Sequence, residues 1–436
     1  MMSGLNRENI KRVKFFQFLI GLFYAIFYEY VYRVYMFPTW EYLGAEYNEL
    51  SQYQYCAFVI CGAIPLLYYN GFKTLASGIS LVEYILVYIP LLLAVMVTKS
   101  MRTFEGSLIF IELFVVQIIF FKTDCVVLLN SFWRKPYKYI PFQILELVTV
   151  ILIIFLIIDN RHGLHFVNFF QHQDEMYELR ADYSQTRGIL SGYILNWVGK
   201  GFLPILLVRY LCKKQKGKIT LAIVGYFIVY MLDMQKITLV MPFVMILFYI
   251  LVTKLKNIQL YFPFIFISLL IVIPCILLHT LNNPIAYTLS SILIMRTQCV
   301  SGWLGSIYFN FFQAECHPFT YYTHIGIIKW ITGAYPYGGG KSLGVAVSEG
   351  AMNANANFML TDGYAAGGIL GILIVAIVFI IIKSILNGTG SRYNPQVLFV
   401  GFFPAISAMM NVSIFTSVLS SGLLIIYLIL LKFKLT

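Results

Sequence analysis

Asn353-Ala-Asn-Ala-Asn-Phe-Met-Leu-Thr-Asp-Gly-Tyr364 runs directly into Ala-Ala-Gly-Gly-Ile-Leu-Gly-Ile-Leu-Ile-Val-Ala-Ile-Val-Phe-Ile-Ile-Ile-Lys383. The first half is rich in amides. The second half carries no charge between Asp362 and Lys383. A helix of roughly 20 residues, rising about 1.5 Å per residue, crosses a hydrocarbon core of about 30 Å. The apolar half therefore predicts a membrane span at about 357–383, with a polar segment at its mouth.

The same test, carried outward, predicts further spans at about 15–36, 53–69, 79–98, 106–121, 141–158, 189–211, 219–234, 237–253, 258–279, 396–410 and 412–431. The expected fold is an all-α polytopic transmembrane helical bundle of about 12 spans, forming a single integral-membrane domain over 1–436. Composition agrees. Of 436 residues, 60% are hydrophobic and 11% charged, against about 25% charged in soluble domains.

The net charge of +12 does not point to nucleic acid. The basic residues gather in short clusters between apolar runs, at 7–14, 134–138, 213–218, 254–256 and 432–434. With both termini in the cytoplasm, all of these clusters fall inside, as the positive-inside rule expects. Two long polar segments, 159–188 and 281–356, then form two large extracytoplasmic loops, and all six histidines lie at or beyond that face. The cytoplasmic loops are too short for a nucleotide-binding domain. Gly338-Gly-Gly-Lys-Ser342 lacks the spacing of a phosphate-binding loop. Seven cysteines form no CxxC pair, and His162, His165 and His172 match no standard metal spacing. No metal site or cofactor is expected.

Several side chains outside the apolar runs carry chemistry. Arg180 and Arg187 are seven apart, so a helix would put both guanidiniums on one face, a geometry suited to pyrophosphate. Pairing with Asp174, Glu175, Glu178 or Asp182 is the structural alternative. Lys236 lies in the tight turn Asp233-Met-Gln-Lys236 between two apolar runs, where a functional or a snorkelling lysine fits. Arg296 has no acid within fifteen residues on either side, which leaves it to a distant partner or an anionic ligand. His324 is a candidate base with aromatic neighbours, with Asp362 and Glu349 next in order. Lys341 in its glycine loop, Asn357 and Tyr364 complete a set suited to sugar hydroxyls and sugar faces.

The layout resembles bacterial Wzy-type O-antigen and capsule repeat-unit polymerases, which stand with the O-antigen ligases among GT-C-type glycosyltransferases. The resemblance covers the whole chain in its spans and loops. Its local matches are Asp159–Gly188, Lys236, Arg296 and Asn355–Tyr364. It implies an enzyme of the bacterial inner membrane that joins repeat units carried on undecaprenyl pyrophosphate into O-antigen or capsule polysaccharide. A lipid-linked acceptor hydroxyl attacks the anomeric carbon of the lipid-linked glycan donor, and lipid pyrophosphate leaves. Arg180, Arg187, Lys236 and Arg296 would bind the pyrophosphate, and a chain-length-regulating co-polymerase is an implied partner. The alternatives are an O-antigen ligase and a lipid-linked oligosaccharide flippase or transporter. A transporter would use Glu29, Arg33, Glu83, Glu112 and Glu146 within the early spans.

Overall fold

The computed structural model describes residues 7–129, 139–161, 164, 188–255, 258–280, 300–338, 342–350 and 352–435. Arg180, Arg187, Arg296 and Lys341 lie outside the described residues, as do 165–187 and 281–299 of the two expected loops. Among the described residues the chain is all-helical, without strands.

Helices occupy the places where spans were expected, but not every one has the length of a span. Among the described residues seven are long and apolar enough: Lys11–Leu43, Leu75–Val97, Phe104–Lys122, Phe142–Asp159, Ile189–Cys212, Lys236–Lys254 and Met359–Ser391. The pair Ile414–Ser420 and Leu423–Lys432, bent by 44°, makes an eighth if it counts as one span. Among the described residues the expected count of about 12 is therefore not confirmed. Gln52–Ala63 gives way to a tighter turn at Ile64–Tyr68, and Pro395–Met409 is a shorter apolar helix. Lys216–Asp233 carries lysines and an aspartate at its ends.

Local sequence explains the helix starts. Ser51 and Thr74 each close a capping box, with Gln54 and Ser77, and the Thr103 hydroxyl accepts from the Gly106 N–H. Six widened, π-helical turns interrupt the described helices. Four of them, Tyr32–Met36, Tyr84–Tyr88, Val198–Phe202 and Ser268–Val272, end two residues before Pro38, Pro90, Pro204 and Pro274. Proline lacks the N–H that would bond the carbonyl four residues back, and its ring presses on that carbonyl. Widening the preceding turn moves the carbonyl aside. The other two, Asn310–Ala314 and Met359–Tyr364, have no such proline.

The chain forms two compact units. The first comprises Met1–Val126, Gln259–Ser384 and Met409–Ile414, and the second the remainder. Tyrosines spaced four apart fill the first unit's core. The hydroxyls of Tyr24, Tyr84 and Tyr88 donate to the carbonyls of Ile85, Gly62 and Cys61 at 2.6, 2.7 and 2.9 Å. Part of the high aromatic content is thus spent on buried packing, with these three phenols satisfied by backbone.

The helix Val300–Phe309, continued by the turn Asn310–Ala314, also lies in this unit. These residues were expected within the polar loop 281–356, yet Trp303, Leu304, Tyr308, Phe309, Phe311 and Phe312 are buried. Gly302 and Gly305 sit so close to the helix Ile89–Val97 that an added Cβ would meet Pro90 O at 3.0 Å and Ala94 Cβ at 2.9 Å. Small residues at this spacing let two helices approach closely. Ser306 accepts from the Thr98 hydroxyl at 2.9 Å across the same contact.

In the second unit, Glu146 and Lys218 pair at 2.7 Å, which gives that intrahelical acid a local partner. The two-residue link between Lys216–Asp233 and Lys236–Lys254 is held by Asp233, whose carboxylate accepts from the Gln235 N–H and the Thr238 hydroxyl. Met234 takes a left-handed conformation there, with φ 51°.

Candidate functional site

Asp362 sits in the π-helical turn Met359–Tyr364 and is fully buried. Just beyond it the helix breaks, at Gly367 (ψ 34°) and Gly368 (φ 59°, ψ −134°). A break frees backbone carbonyls, which must find other donors inside a protein. Those of Ala365 and Ala366 accept the N–H groups of Thr320 and Tyr321, at 2.8 and 2.9 Å.

That docking pins the turn 320–325. Tyr321 and Tyr322 both have left-handed backbone, with φ 46° and 65°, a conformation costing about 1–3 kcal/mol in a residue with a side chain. The turn closes through Thr323 N–H to Thr320 O at 2.8 Å and Ile325 N–H to Tyr322 O at 3.0 Å. It aims the His324 ring between two partners. Nδ1 lies 2.8 Å from Thr320 Oγ1, and Nε2 lies 3.0 Å from Asp362 Oδ1. The second carboxylate oxygen accepts the Ile414 N–H at 2.6 Å, where another helix restarts after the interruption at 410–413. All four residues belong to the first unit. An ionised Asp362 accepting at both oxygens would place the hydrogen of a neutral His324 on Nε2 and leave Nδ1, which faces the Thr320 hydroxyl, as the acceptor nitrogen.

Aromatic rings surround this chain of groups. Tyr364 stands edge-on to Phe309 at 4.9 Å and to Phe312 and Phe319 at 6.0 Å. His317 stacks on Phe311 at 4.0 Å, and the Tyr337 hydroxyl donates to Pro318 O at 2.5 Å. The Lys329 ammonium lies 4.8 Å from the centre of the Tyr335 ring. Burial pushes the phenols of Tyr322, Tyr335 and Tyr337 up, with the Asp362 charge adding at Tyr322 and Tyr335 adding at Tyr337. Among the described residues the Tyr335 and Tyr364 hydroxyls have no hydrogen-bond partner.

The structure brings His324 and Asp362 together, with Tyr364 two residues along the same turn. Asn357 is buried beside it, and its Oδ1 accepts the Leu360 N–H, which starts the helix. Glu349 is exposed and left-handed (φ 50°), and among the described residues its side chain bonds to neither member of the pair. Lys236 begins its helix in the second unit and is 8% exposed. Among the described residues no three His, Cys, Asp or Glu side chains cluster as metal ligands. Thr320 escaped the sequence reading, although a threonine four residues before a histidine is a signal for it. The Ile414 N–H has no sequence signal.

Comparison with family models, with characterised proteins and with solved structures finds no match to this chain.

Proposed function

We propose that this chain is a bacterial inner-membrane glycosyltransferase that polymerises oligosaccharide repeat units carried on undecaprenyl pyrophosphate. The observation that carries the reading is the His324 imidazole, held between the Asp362 carboxylate and the Thr320 hydroxyl at a helix break. A carboxylate on one ring nitrogen fixes the tautomer and stabilises the imidazolium formed when the other nitrogen takes a proton. The acceptor sugar hydroxyl passes its proton to Nδ1 directly or through the Thr320 hydroxyl. Its oxygen bonds to the anomeric carbon, and the bond to the lipid pyrophosphate breaks. Arg180, Arg187, Lys236 and Arg296 are assigned to the negative charge of the leaving group, and Lys341 to sugar recognition. Tyr364 and Asn357 are assigned to sugar recognition, and Glu349 stands third as base. The active face is extracytoplasmic and both termini are cytoplasmic in this reading, and a chain-length-regulating co-polymerase is its natural partner.

A second reading, a lipid-linked oligosaccharide transporter, draws on the helix interruptions at 367–368 and 410–413. Discontinuous helices meeting at a buried acid are what transporter binding sites use. Glycan analysis of a deletion strain separates the readings. A missing polymerase leaves a single repeat on lipid A–core. A missing ligase leaves none there while lipid-linked polymer accumulates. A missing transporter traps units on the cytoplasmic face. In the polymerase reading Arg296→Ala abolishes long chains at unchanged protein level, and normal chain lengths in that variant remove Arg296 from the site.

A further inference from the structure

Away from His324, the first unit buries a second group of charges. Lys383 follows an uncharged run of its helix, and its side chain is wholly buried. Its ammonium lies 2.9 Å from Asp124 Oδ1 and 2.9 Å from Ser80 Oγ, and it also bonds the Phe120 carbonyl. The Ser80 hydroxyl donates to the same carboxylate oxygen at 2.6 Å. Three bonds use all three ammonium hydrogens, and the rings of Phe120 and Phe379 flank the charge at 5.4 and 5.9 Å. Lys383 and Asp124 thus form a neutral ion pair, made through one carboxylate oxygen of Asp124.

One acid is left over. Glu83 lies one turn beyond Ser80 on the helix Leu75–Glu83, is 1% exposed, and stands within electrostatic reach of both Lys383 and Asp124. Its Oε2 has no partner at hydrogen-bonding distance and angle, and the side chain of Gln117 faces Glu83 from Phe104–Lys122. The other titratable groups near the cluster are Tyr88, beside Glu83, Cys125, beside Lys383, and Tyr69, beside Asp124. A bare carboxylate oxygen in such surroundings is costly, and the simplest relief is a proton. Three buried titratable side chains, on two helices and on the turn that follows a third, therefore hold two charges that cancel and a third site for a dissociable hydrogen.

We infer that Ser80, Glu83, Gln117, Asp124 and Lys383 form an intramembrane proton-binding site. Glu83 carries the exchangeable proton, and the Lys383 ammonium is the charge that favours its loss. On release the Glu83 O–H bond breaks and the proton passes to water. The carboxylate left behind adds one negative charge to the cluster, which the nearby Lys383 ammonium offsets in part. The site is independent of the glycan reading and would serve an enzyme or a transporter alike. A ring stack runs from Phe120 through Phe379 (4.7 Å) to Phe358 (5.0 Å). It ends at the residue before the turn that holds Asp362.

The test is infrared spectroscopy of the full-length protein in lipid nanodiscs, titrated across pH in H2O and in D2O. The expected result is a protonated-carboxyl C=O band that shifts in D2O, titrates as one proton and disappears in Glu83→Gln. The charge-balanced double variant Lys383→Met, Asp124→Asn should keep the band and move its midpoint by about one pH unit or more. A wild-type spectrum with no titrating carboxyl band overturns the inference, and so does a band that survives Glu83→Gln. Should Glu83→Gln not fold, Glu83→Asp gives the decision. A band unchanged in frequency and midpoint in that folded variant rejects the site.

Discussion

The Asp362 carboxylate accepts the Ile414 main-chain N–H at 2.6 Å, across 52 residues of sequence. One acid thereby starts a helix with one oxygen and orients His324 with the other. Its burial follows from this double duty, because neither oxygen is left for solvent.

Replacing that acid by its amide should be more damaging to chemistry than to folding. Asn at 362 offers one acceptor and one donor to two donors, the Ile414 N–H and the His324 Nε2–H. Either orientation sets donor against donor, or forces the hydrogen onto Nδ1 and silences the base. Asp362→Asn should cost about 1–3 kcal/mol of stability and about 10²–10⁴ in turnover. Repeat-unit transfer per folded protein, measured beside thermal unfolding, checks both.

His324→Gln keeps bulk and polarity but cannot take a proton at neutral pH. Turnover should fall about 10²–10⁴-fold, with the melting temperature changed far less than in Asp362→Asn. Thr320→Val removes the hydroxyl at the basic nitrogen. It should lower turnover less than His324→Gln does if acceptor hydroxyls reach Nδ1 directly, and as much if Thr320 relays the proton. Chain-length distributions on gels give the comparison.

The helix break makes a sharp prediction about three glycines. At Gly371 a Cβ would meet the Gly363 carbonyl oxygen at 2.1 Å. At Gly368 it would meet Phe319 Cζ at 3.2 Å with φ at +59°. At Gly367 it would meet nothing within 4 Å. Gly371→Ala and Gly368→Ala should each destabilise the protein by about 1–3 kcal/mol or prevent its accumulation, while Gly367→Ala should behave as wild type in detergent melts.

Alkaline pH tests the phenols. Tyr337 titrates above the ordinary value of 10.0 because burial disfavours phenolate. A raised folded-state value means that its contribution to stability is complete below the unfolded value and fades as pH climbs past it. Stability should hold through neutral pH and decline above about 10, and Tyr337→Phe should blunt that decline. A reverse trend, with stability rising at alkaline pH, would contradict the burial.

The positions of the helices were legible because hydropathy is a local property. Even the widened turns could be read, since Pro38, Pro90, Pro204 and Pro274 mark four of them. Residues 300–314 were harder. Gly302, Gly305 and Ser306 look polar or flexible in sequence, yet in space they are the flat surface on which a helix packs. His324 and Asp362 were each legible as candidates, but not as a pair. Their meeting depends on a helix break and on two tyrosines forced into left-handed backbone. Lys383 and Asp124 drew no notice, because a lysine at the end of an apolar run resembles any span terminus until its partner is seen.

The two widened turns without a proline carry a last consequence. A π-helical turn is an α-helical turn with one surplus residue, so nothing covalent in Asn310–Ala314 or Met359–Tyr364 requires it to stay. Expelling that residue from the second would rotate Asp362 about 100° around its axis. One such slip would carry the carboxylate away from His324 and Ile414 together. The site would then be assembled or dismantled by counting residues, with no hinge in the ordinary sense.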